Sequence, residues 1–184
     1  MDWQSLLLDH WPVKLVSATL ILAYVIDARV LKVPNWITFP LAFTGIAFHC
    51  FTSGWAGLGF AMMGLAAGLA TLLPLYAVGG MGAGDVKLMA GAGAWVGMGL
   101  ITSSFIANAL VGGLMAVVMV ALSGRTMHHL RMAGVIIRDI VTLKNPRVMF
   151  DRATERKPTM LLLPYGIPVC IGAITTFIHY GVLF

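Results

Sequence analysis

The chain has 184 residues, 59% of them hydrophobic and only 10% charged, with a formal net charge of +5. Soluble domains carry about 25% charged residues, so a water-soluble globule is excluded: there is too little polar surface to cover this much apolar content. The length suits one unit, 1–184, with room for several crossings of about 20 residues each and their loops.

Long apolar runs predict helices over 12–28, 35–53, 55–78, 85–100, 102–123 and 161–182. The expected fold is therefore all-α, a polytopic membrane protein with six transmembrane helices and one polar cytoplasmic segment. The first run is read as a retained span, because Lys14 lies inside it and no small-residue cleavage site follows. Asn35, directly after Pro34, is a start signal for the second. The chain has 21 glycines; the Gly64/Gly68 and Gly93/Gly97 pairs have the spacing of close helix packing. Asn108, inside the fifth span, is expected to hydrogen-bond across helices.

Placing the N-terminus outside puts every Lys and Arg except Lys14 on one side. The positive-inside rule then makes that side the cytoplasm and leaves both termini external, as in a bacterial inner membrane. The loop 124–160 carries the whole net charge. Its Met132, Val135, Ile136, Ile140 and Leu143 share one helical face, and His128, Arg131, Arg138 and Thr142 share another. This basic amphipathic segment is expected to lie on anionic inner-leaflet lipid; a docking surface for a protein partner or substrate is the other reading, and no nucleic-acid partner is expected.

Ionisable groups at membrane depth are costly and mark functional candidates. Asp27 closes the first span and Asp85 opens the fourth, both at the cytoplasmic level. No Ser/His or Cys/His arrangement and no HExxH signature appears, and Cys50 and Cys170 are isolated. No disulfide framework, metal or cofactor is expected. The remaining arrangement able to cleave a bond is a carboxylate pair. Two carboxylates a few ångströms apart share one proton, so one can activate water while the other polarises a carbonyl. Glycines before Asp85 permit a tight turn and a close approach. The competing reading makes Asp27 an interfacial charge beside Arg29 and Asp85 an ordinary acidic helix start.

Gly82-Ala83-Gly84-Asp85 matches the GxGD signature of intramembrane aspartic proteases. With Lys87, Leu88-Met89-Ala90 and Gly93-Ala94-Trp95, it resembles the second motif of type IV prepilin peptidases. In short members of that family an Asp stands seven residues before the Pro of an Ile-Pro-Asn segment; here Asp27 stands seven before Pro34-Asn35, with Val33 in place of Ile. Leu163-Pro164-Tyr165-Gly166-Ile167-Pro168 is similar to the opening of the family's final helix. The resemblance covers roughly 13–123 and 161–181.

The resemblance implies a catalytic Asp27–Asp85 pair, supported by Gly82, Gly84 and Lys87. It implies cleavage of the short basic leader of prepilins, next to a glycine and ahead of the hydrophobic helix, in the service of Flp or tight-adherence pili. Longer members carry a cytoplasmic insertion with paired CxxC motifs and methylate the new N-terminus. This sequence shows neither the insertion nor a glycine-rich loop for S-adenosylmethionine, so N-methyltransferase activity is not expected. The alternative of another class is a small transporter or channel using Asp27 and Asp85 as a proton or cation relay, at odds with both carboxylates lying near one surface. A third is an assembly factor that recruits partners through its basic loop.

Overall fold

The structure, a computed structural model, describes residues 11–30, 33–77, 81–124, 134–135 and 166–183. These residues form α-helices with short turns beside them, without a strand among them: α1 (Trp11–Val30), α2 (Asn35–Ala77), α3 (Ala83–Leu122) and α4 (Gly166–His179). The amphipathic pattern expected across 124–160 and the start of the last span at 161 lie outside the described residues, apart from a helical Gly134 and Val135.

The two long helices are each broken by a single glycine. Gly54 interrupts α2 at φ 57°, ψ −135°, separating 35–53 from 55–77, where the sequence predicts the turn. Gly97 interrupts α3 at φ 80°, ψ 172°. This corrects the boundary expected at 100–102. Gly97 reads from its spacing as a packing glycine, but only glycine adopts such backbone angles without strain, and the chain reverses there. The break frees the Trp95 carbonyl from the helical ladder, and the His49 ring meets it through Nε2 at 3.0 Å.

Neighbouring segments fix the layout. Glycines 64 and 93 press backbone to backbone, and Gly68 lies against Met89 and Ala90, so 55–77 runs antiparallel to 83–96. Gly91 packs on Leu41, Gly84 on Val33, and the Trp95 indole donates to the Leu41 carbonyl at 2.8 Å, so 35–53 runs parallel to 83–96. Segment 83–96 is the central helix, buried on nearly every face. Trp11 and Phe48 close around Trp95 at 5.5 and 5.3 Å between ring centroids, forming an aromatic plug at the end of the bundle opposite Asp85. Helix α4 packs against 98–122, with Gly172 on the Asn108 backbone. That helix stops three residues short of the expected 182 because Gly181, at φ 64°, closes a Schellman turn. Its bonds are Val182 N–H to Phe177 O and Gly181 N–H to Ile178 O, both 3.0 Å.

Exposed positions are not those of a protein facing water. Phe51 and Trp55 are 90% and 88% exposed, with Phe43, Leu110, Leu114, Val117 and Leu122 also outward. A continuous apolar exterior is what hydrocarbon contact selects. Helices Asn35–Ala77 and Ala83–Leu122 are each long and apolar enough to cross a membrane. Several hydroxyls in the apolar helices turn back to their own backbone, as Ser17 does to Val13 O at 2.8 Å and Thr176 to Gly172 O at 2.8 Å. The interhelical bond expected of Asn108 is absent: its amide is buried without a hydrogen-bond partner among the described residues.

Candidate active site

The carboxylates come together because of where each sits on its helix. Val13, Val16, Leu20 and Ala23 are the buried stripe of α1, and Asp27 is its next member. Helical periodicity therefore aims the Asp27 side chain at the bundle interior. Asp85 is the third residue of α3, which begins at Ala83, two residues earlier than expected. From there it reaches back to its own N-cap, where Gly82 N–H donates to Oδ2 at 3.1 Å. Asp27 and Asp85 are each only 5% exposed, and they lie near enough to repel one another electrostatically.

Among the described residues, a backbone N–H from a glycine holds an oxygen of each carboxylate. Gly166, the first residue of α4, donates to Asp27 Oδ2 at 3.1 Å. Asp85 Oδ1 is buried and makes no hydrogen bond among the described residues. Four chain segments thus meet at one end of the bundle: the end of α1, the turn around Val33, the start of α3 and the start of α4. Gly84 makes the meeting possible, since a Cβ there would lie 2.8 Å from the Val33 carbonyl oxygen. Gly82 has more room; its Cβ would sit 3.3 Å from Asp85 Oδ2.

Lys87 is directed elsewhere. Its Nζ donates to Asn35 Oδ1 at 3.1 Å and lies 4.9 Å from the centre of the Phe39 ring, tying the start of α2 to the start of α3. The sequence marks Asn35 as a helix start and as part of the Pro34-Asn35 motif but not as a partner of Lys87, and it gives Gly166 no contact with Asp27. The signal for Asn35 was its place in the Pro34-Asn35 motif. For Gly166 it was a glycine opening an apolar run ahead of Pro168. No group of three His, Cys, Asp or Glu side chains able to hold a metal occurs among the described residues.

An aspartate pair of this kind can act on water and a carbonyl without further groups: the ionised carboxylate takes a proton from water as the protonated one bonds the carbonyl oxygen.

Known proteins point the same way. Residues 15–117, which include both aspartates, match the type IV leader peptidase family. A prepilin leader peptidase/N-methyltransferase of Neisseria gonorrhoeae is 35% identical over 118 residues, covering 60% of this chain and 41% of the relative. One from Aeromonas hydrophila is 32% identical over 122 residues, 62% of this chain and 41% of the relative. The chain spans about two-fifths of the length of these curated relatives. No solved structure matches it. The match extends over more than half of the chain and takes in both carboxylates of the site, so this protein belongs to the type IV leader peptidase family.

Proposed function

We propose that the chain is a prepilin leader peptidase in which Asp27 and Asp85 form the catalytic dyad, cutting the short basic leader of Flp-like prepilins. The observation that carries this reading is the convergence of two buried carboxylates from separate helices at one end of the bundle. In the cleavage, the carboxylate of the pair removes a proton from water as the oxygen attacks the scissile carbonyl. The carboxylic acid of the pair hydrogen-bonds the carbonyl oxygen as charge develops there. Collapse of the tetrahedral species breaks the C–N bond, and the proton passes to the leaving amine, which becomes the new N-terminus of the mature pilin. Leader and pilin leave with the dyad again holding one proton.

The same reading has six spans, both termini outside and the dyad at the cytoplasmic face of a bacterial inner membrane. A prepilin's basic leader remains in the cytoplasm by the positive-inside rule, so its cleavage site meets a dyad at that face. The basic loop 124–160 rests on anionic lipid beside it. Gly82 and Gly84 keep the dyad's surroundings free of side chains, and Lys87, through Asn35, holds the start of α2 against α3.

Co-expression with a Flp-type prepilin tests this. Wild type should shorten the prepilin to its mature form, and Asp27→Asn and Asp85→Asn should each leave it full-length while accumulating in the membrane. Leader removal by either variant at the wild-type rate would refute the dyad.

A further inference from the structure

We infer that Gly166 is the positioning residue for Asp27, acting through its N–H and through the space its missing side chain leaves. This rests on the reading of Asp27 as one of the catalytic pair. Helix α4 carries no carboxylate of its own, yet its first residue fixes that of Asp27, donating to Oδ2 at 3.1 Å in a buried setting. With Oδ2 held there, the other oxygen of Asp27 is the one left for the shared proton and the substrate.

The geometry separates this role from simple packing. A Cβ on residue 166 would lie 2.8 Å from Asp27 Oδ2, 3.2 Å from its Cβ and 3.3 Å from its Cγ. All three nearest atoms belong to Asp27, and the closest is the end of a rotatable side chain. Turning the carboxylate away relieves the 2.8 Å contact, and a give of a few tenths of an ångström at the Asp27 Cβ takes up the rest, so an alanine is accommodated with little movement of the helices. Gly172, two turns along the same helix, is the contrast: a Cβ there meets the Asn108 backbone, which cannot turn aside. One glycine of α4 thus holds the fold together, and the other aims a carboxylate.

The test uses the purified full chain in lipid with a Flp-type prepilin, measuring kcat, KM and thermal stability. It also records the infrared carboxyl band of Asp27, assigned by its loss in Asp27→Asn. Gly166→Ala should lower kcat by about 10²-fold, the scale of an ångström-sized misplacement, with KM and Tm near wild type and the Asp27 band shifted. Gly172→Ala should instead lower Tm and leave the band in place. Wild-type kcat in Gly166→Ala, an unmoved Asp27 band, or a kcat loss that only follows loss of folded protein would each overturn the positioning role. Failure of the underlying dyad is read separately: Asp27→Asn then cleaves at the wild-type rate, which removes the role of Gly166 in catalysis whatever the infrared band shows.

Discussion

Asp27 and Asp85, the dyad proposed here, are each placed by a different local rule. Asp27 sits in register with the buried stripe of α1, and Asp85 is tethered to its own N-cap by Gly82 N–H. Both positions are legible in the sequence, Asp27 from its place at the end of the first span seven residues before Pro34 and Asp85 from the Gly-Ala-Gly-Asp run. The partner of Asp27 was not, because a backbone N–H has no sequence signature and Gly166 comes from the far end of the chain. Lys87, which the resemblance implies as active-site support, carries its ammonium on a long stem to Asn35 and Phe39, contacts that its place in the motif does not specify. Proton sharing sets the pH behaviour. In the proposed mechanism the pair works with one proton between two carboxyls, so kcat/KM should fall at low pH, where both are protonated, and again at high pH, where both are ionised. A pH–rate profile of prepilin cleavage should therefore be bell-shaped. A rate rising through one ionisation to a flat plateau would mean that a single carboxyl acts alone.

The elements follow from apolar length, and their breaks follow from glycine. The sequence located the turn at 54 because an apolar run of 43 residues in α2 exceeds the roughly 20 that one crossing needs. It misplaced the turn in α3, since Gly93 and Gly97 look alike as a spaced pair and only the backbone angles distinguish them. Gly93 lies flush against Gly64, whereas Gly97 carries the break and faces the Phe60 ring. The pairing of 64 with 93 brings two backbones together without side chains between them. A methyl on residue 64 would meet the Gly93 carbonyl, forcing the central helix from its neighbour. Gly64→Ala should cost about 1–3 kcal/mol, the usual range for overpacking. Thermal unfolding in detergent would register this as a lowered Tm, and an unchanged Tm would mean the helices are not locked at this crossing.

At the scale of the whole molecule, parallel and antiparallel packing around 83–96 gathers both motifs at one end and the Trp11, Phe48 and Trp95 rings at the other. Composition alone makes the membrane setting legible, and the orientation proposed above rests on the charge asymmetry. Exposed Asn35 and Ser53 stand at the two ends of one helical segment, so single cysteines at these positions in a cysteine-free background report that orientation. A membrane-impermeant maleimide added to intact spheroplasts should label Ser53→Cys and spare Asn35→Cys; the reverse pattern would turn the active site outward. The decisive measurement is a double-mutant cycle on the dyad, with Asp27→Asn, Asp85→Asn and the combined variant assayed for cleavage of one prepilin in the same lipid. Residues that act as one unit lose their function together. The account predicts residual rates equally low in all three variants, with the double no worse than either single. An active single variant, or losses that multiply in the double, would show that the two carboxylates do not work as a pair.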